Sequence, residues 1–152
     1  RKYQSLDPKK KASTLFTIES YVNWVLAVGS HRNRFSEFPD NLSETPGARF
    51  NYLYKEMGAV IGFGRLGKFD YLTMIGKLKL ADIEPESPYI TNATGPLLGA
   101  KLLFGPHYSK KQLEGLVISL GISFGYFYSM QILEDALCNW QKSPEVFIHF
   151  KG

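Results

Sequence analysis

Gly62-Phe63-Gly64-Arg65-Leu66-Gly67-Lys68-Phe69-Asp70-Tyr71-Leu72 is a turn that runs straight into a helix. Three glycines within six residues let the backbone bend and turn N–H groups inward. The apolar residues that follow recur at helical rather than alternating spacing. A helix N-terminus carries partial positive charge, and Arg65 and Lys68, three apart, add two full charges on one face. Glycine flexibility, inward N–H groups and cations together form an anion cradle, so a phosphate-bearing ligand is the expected guest of Gly62, Gly64, Arg65 and Lys68. The alternative is an ordinary surface helix with solvated charges. Asp70 lies off the cationic face, where it serves either as a base or as a partner of Lys77.

The same grammar recurs about thirty residues on, in Ala93-Thr94-Gly95-Pro96-Leu97-Leu98-Gly99-Ala100-Lys101. Thr94, Gly95 and Lys101 are therefore read as a second half of the phosphate site. Outward from these turns, caps and breakers mark helices throughout. Asp7-Pro8 predicts a helix through Leu15, Ile18, Val22, Val25 and Leu26 to a stop near Gly29, apolar nearly all round and hence central. Residues 30–45 read as a polar connection. Thr45-Pro46 opens a helix with Phe50, Leu53, Met57 and Ile61, and Pro85 and Pro88 break the chain into an extended loop. Leu98, Leu102 and Leu103 lie on a short helix, and Ser109 caps a helix with Leu113, Leu116, Val117 and Leu120 on one stripe. Gly121 and Gly125 bracket a turn before a last long helix over 124–141. Strand-like alternation is scarce, with 146–150 the one ambiguity. The expected fold is all-α, a compact multi-helix single domain spanning residues 1–152.

Charge narrows the partners. The chain carries a net +4, and that excess sits in a basic leading arm, residues 1–11, where five bases meet only Asp7. The other thirteen bases and thirteen acids cancel. The arm is either a contact for a phosphate backbone or a solvated tail. Both glycine turns lie in locally basic stretches. Glu19, Asn23, Glu134 and Asp135 interrupt the best apolar runs, so no membrane span is expected. The start at Arg1 reads as part of a longer chain. His31, His107 and His149 are dispersed and Cys138 is alone, so neither a metal site nor a nucleophilic triad is expected. On the last helix Tyr128, Gln131, Asp135, Asn139 and Lys142 form a polar line, either a solvent face or a cleft wall. Glu19 and Asn23 form a shorter polar pair on the first helix, which if buried must be hydrogen-bonded.

Gly62-Phe63-Gly64-Arg65 resembles the hairpin of helix-hairpin-helix DNA glycosylases, whose hairpin binds DNA phosphates. That resemblance implies a glycosylase-like helical fold, and its spacing to the catalytic acid arrives at Glu84, with Asp82 two residues before it. Leu66, where lyase members often carry lysine, departs from that pattern. A second resemblance covers most of the chain. Asn23-Trp24-Val25-Leu26, His31-Arg32-Asn33-Arg34-Phe35, Gly64-Arg65, Lys68-Phe69-Asp70-Tyr71-Leu72, Ile83-Glu84-Pro85, Ala93-Thr94-Gly95-Pro96, Gly99-Ala100-Lys101-Leu102-Leu103-Phe104 and Glu134-Asp135-Ala136-Leu137-Cys138-Asn139 together resemble the alpha-glutamyl/putrescinyl thymine pyrophosphorylase family.

That likeness implies a transferase that displaces pyrophosphate from pyrophosphorylated 5-hydroxymethyluracil in DNA with an amine, an amino acid or a polyamine, and no cofactor. Its partners are DNA and the small amine donor, its setting intracellular, including the cytoplasm of phage-infected cells. The amine must lose a proton to attack, and Asp70, Glu84 and Asp135 are the candidate bases, with no choice among them. His31, Arg32 and Arg34 suit a DNA backbone or an acidic donor. Phe63, Tyr71 and Tyr128 suit stacking on an extruded base. A glycosylase-like enzyme and a non-catalytic nucleic-acid-binding module are the competing readings.

Overall fold

The computed structural model describes residues 5–7, 9–10, 13–146 and 148–149. Among the described residues regular structure is helical throughout, as expected: seven α-helices, two short 3-10 turns and no strand. The chain clusters into two compact units, Arg1–Glu84 and Pro85–Gly152, the boundary falling where Pro85 breaks the helical pattern.

In the first unit α1 spans Thr14–Leu26, α2 His31–Ser36, α3 Pro46–Glu56 and α4 Arg65–Lys77, with a 3-10 turn Met57–Ala59 after α3. Two of these helices differ from the expectation. The Asp7-Pro8 start is not used: Asp7 closes a local turn by accepting from the Lys9 N–H at 3.0 Å, and α1 begins six residues later behind Ser13. Pro8 lies outside the described residues, as do Arg1, Lys2 and Lys11 of the basic arm. Nor is α1 central. Leu15, Ile18, Val22 and Leu26 are all exposed, while Thr17, Trp24 and Val25 face inward. Glu19 and Asn23 are exposed as well, so that pair lies in solvent.

The expected polar connection at residue 30 starts with a helix. Ser30 caps α2 by accepting from the Asn33 N–H at 3.0 Å, a local bond that stabilises a one-and-a-half-turn helix. As a result Arg34 and Phe35 turn inward. The core of this unit is aromatic: Phe50 and Phe69 are fully buried, edge to face at 6.1 Å, with Leu53, Met57 and Leu72 around them.

In the second unit a 3-10 turn Ile90–Asn92 precedes α5, Gly95–Phe104, α6, Lys110–Phe124, and α7, Ser129–Trp140. Ile90, Leu97, Ala100, Leu113, Val117, Leu133 and Leu137 form its core. Ser109 and Gln112 make a full capping box at the start of α6. Gly121 does not bracket a turn: it lies inside α6, where a Cβ would meet Met130 Cε at 2.6 Å. The turn begins at Gly125, in the left-handed region at φ 66°. α7 therefore starts at Ser129, later than the expected residue 124. Residues 147 and 150 of the ambiguous tail lie outside the described residues.

Candidate functional site

The two glycine turns, alike in sequence, are put to different uses. In the first, Gly62 adopts φ 81°, a conformation in which an L side chain is strained. Gly64, the N-cap of α4, has open space where a Cβ would stand, and Gly67 has only the Phe63 ring, at an ordinary 3.9 Å. All three glycines are exposed. No packing demand accounts for Gly64 or Gly67, and Gly64, as the N-cap, supplies no side-chain acceptor to α4. In the second turn the glycines serve packing. A Cβ on Gly95 would lie 2.8 Å from Cys138 Sγ, and one on Gly99 would collide with the carbonyl of Leu137. The i, i+4 glycine pair thus lets α5 lie close against α7. Thr94 is exposed at the start of α5, and Lys101 is half-buried in its last turn.

The first turn carries the cations. Arg65 and Lys68 occupy the first turn of α4, both half-buried. Lys68 Nζ sits 4.2 Å above the Tyr54 ring, a cation–π contact, and burial pushes its pKa below the ordinary 10.5. Tyr54, on α3, also donates its hydroxyl to the carbonyl of Arg65 at 3.5 Å. One side chain of α3 thereby supports the Lys68 ammonium and binds the first backbone carbonyl of α4, a role the sequence does not mark.

Beside this turn runs a chain of polar groups set among rings. Tyr21 Oη lies 2.5 Å from Tyr71 Oη and 2.9 Å from His31 Nε2. Tyr71 is held edge-on by Phe63 at 5.9 Å, and His31 packs on Phe35 at 4.7 Å. Burial, then the bond to Tyr21, pushes the Tyr71 phenol well above its ordinary value, so it stays protonated. The structure thus joins His31 and Tyr71 through Tyr21, which no sequence pattern singles out, and sets Phe63 against Tyr71. Arg32 is exposed beside them. Arg34 is not: it is 5% exposed, its guanidinium 4.6 Å over the Trp24 ring and its Nη2 donating to the Trp24 carbonyl.

The candidate bases are dispersed along the chain. Asp70 is exposed on α4, Glu84 is half-buried in the segment after α4, with its N–H donating to the Pro46 carbonyl at 3.3 Å, and Asp135 is exposed on α7. Asp82 pairs with Arg49 at 2.5 Å. The C-terminal end of the polar line is tied locally: Asn139 donates to the Asp135 carbonyl at 2.9 Å and Lys142 to Asn139 Oδ1 at 3.2 Å. The buried carboxylate there is Glu134, only 3% exposed. The sequence does not single it out as a base, because Asp135 rather than Glu134 fits the polar stripe. On α6, Glu114 accepts from Ser87 at 2.8 Å and from the Thr91 N–H at 2.7 Å, holding the loop before α5. Among the described residues no helix is long and apolar enough to cross a membrane.

A family model described as alpha-glutamyl/putrescinyl thymine pyrophosphorylase clade 3 matches residues 1–152. No curated protein and no solved structure matches the chain.

Proposed function

Since the chain belongs to the alpha-glutamyl/putrescinyl thymine pyrophosphorylase family, and so is an enzyme of thymine hypermodification in DNA, we propose that it replaces the pyrophosphate of pyrophosphorylated 5-hydroxymethyluracil with an amine. The amine nitrogen forms a bond to the 5-methylene carbon while the bond from that carbon to the pyrophosphate oxygen breaks. The electron pair leaves with pyrophosphate, and the proton on nitrogen passes to a base.

Two demands follow. The leaving group gains negative charge as the bond breaks, so donors and cations aimed at it lower the barrier. The turn Gly62–Lys68 is proposed to meet this demand, and one observation supports the reading: its glycines are exposed, its N-cap Gly64 carries no capping side chain, and Arg65 and Lys68 stand in the first turn of α4. Thr94, Gly95 and Lys101 are the weaker half of the predicted site, because packing alone accounts for Gly95. The amine must also be neutral when it attacks, and Asp70, Glu84 and Asp135 are the carboxylates proposed to take its proton. His31 and Arg32, both exposed, suit the DNA backbone. Phe63 and Tyr71 suit a base displaced from its stack.

A duplex carrying pyrophosphorylated 5-hydroxymethyluracil, incubated with the chain and either L-glutamate or putrescine, tests the reading. Pyrophosphate release with a matching amino-linked nucleoside by mass spectrometry is the expected result. Arg65→Ala should slow it by about 10²-fold, the cost of losing one charge-stabilising donor. Abasic DNA with no pyrophosphate displaced would establish the glycosylase-like reading instead.

A further inference from the structure

A groove of about 440 Å³ in the first unit is lined by Ser20, Asn23 and Trp24 of α1, Arg34 of α2 and Glu56 at the end of α3. It holds two anomalies. Trp24 and Arg34 are each 5% exposed, yet Trp24 Nε1 and Arg34 Nε have no hydrogen-bond partner. A buried donor left unpaired is destabilising, and here two lie on neighbouring side chains, with Arg34 stacked on the Trp24 ring at 4.6 Å. The guanidinium is also held in place, because its Nη2 is bound to the Trp24 carbonyl. Such a pair is preorganised to receive an acceptor.

Both orphaned groups are donors and one belongs to a fixed cation, a pairing that an oxyanion would satisfy. A planar carboxylate suits a guanidinium edge and an indole N–H better than a single-point acceptor does. Asn23, exposed at the rim, adds an amide. Glu56, exposed on the same groove, adds a carboxylate, which repels a simple anion and attracts an ammonium. A ligand bearing both charges satisfies both walls, and the groove has room for one of amino-acid size. A polyamine, cationic at each end, meets Arg34 with like charge.

We propose that this groove binds a free α-amino acid, its carboxylate on Arg34 and Trp24 and its ammonium toward Glu56. Its role as the donor site, selecting an amino acid over a polyamine, rests on the function proposed above; binding itself needs no DNA.

The test is titration of the purified chain with glycine, L-glutamate, acetate and putrescine, followed by the indole N–H signals in ¹⁵N–¹H spectra. Trp24→Phe distinguishes Trp24 from Trp140. Both amino acids should shift the Trp24 indole, and Glu56→Gln, a change at an exposed side chain, should weaken them at least tenfold without altering the fold. Asn23→Ala serves as a second foldable variant and should weaken them as well. Acetate binding as tightly as glycine, with Glu56→Gln neutral, would overturn the zwitterion assignment. An indole that no amino acid moves, or that putrescine moves at lower concentration, would overturn the site. The two proposals fail separately: pyrophosphate displacement by putrescine without amino-acid binding sinks only the groove, and amino-acid binding without pyrophosphate displacement from the modified duplex sinks only the reaction.

Discussion

Lys68 is a cation held partly out of water. Its ammonium rests on Tyr54, and desolvation lowers its pKa from 10.5, so the unfolded chain binds its proton more tightly than the folded one. Folding stability therefore rises with pH through the window between the lowered value and 10.5. Anion binding runs the other way, since it needs the charge. Pyrophosphate affinity is predicted to fall with rising pH from a point below the ordinary lysine range, measured by calorimetry across alkaline pH. Tyr54→Ala should move that fall back toward 10.5. Arg34 shows what the sequence hides at this scale. Nothing in His31-Arg32-Asn33-Arg34 says which side chain turns inward; that follows from Ser30 capping a helix where composition alone gives a polar connection. Tyr21 was illegible for the same kind of reason, since its partner Tyr71 is fifty residues away.

At the scale of elements, two glycine turns with one grammar separate by what packs on them. Gly99 lies under the Leu137 carbonyl, whereas a Cβ on Gly67 would meet only the Phe63 ring at an ordinary 3.9 Å. Gly99→Ala should cost about 1–3 kcal/mol by overpacking, read as a lower urea midpoint. Gly67→Ala, in the first turns of α4, should instead be neutral or gain up to about 1 kcal/mol. The end of α4 offers a third case. Lys79 sits at φ 57° with its N–H donating to the Gly76 carbonyl, and Leu80 donates to Ile75, a Schellman cap with lysine where glycine is favoured. Lys79→Gly should raise stability by about 1 kcal/mol. Helix types and most caps were legible because they are local. Whether a glycine opens a site or admits a neighbour was not, because the answer depends on the helix across from it. The apolar stripe of α1 misled likewise: its periodicity marks a face, and the fold buries Trp24 and Val25 instead.

For the whole molecule, the all-helical class was readable from the density of caps and the scarcity of alternation, and the division into two compact units, which the expected single domain did not include, falls at the loop that Pro85 opens. The net charge sits in residues 1–11; a phosphate-contacting arm predicts that their deletion flattens the salt dependence of binding to a DNA duplex, each lost contact changing the log–log slope by about 0.9, whereas a solvated tail predicts an unchanged slope. Membership of a thymine pyrophosphorylase family sets the chemistry, and the open turn is proposed to give it a place. Titration of ¹⁵N-labelled chain with pyrophosphate, with backbone amides followed one by one, tests that placement most directly. Saturable shifts confined to Gly62–Lys68, lost in Arg65→Ala while Gly95–Lys101 stays still, are the predicted result. Shifts centred on Gly95–Lys101, with Gly62–Lys68 unmoved, would contradict it.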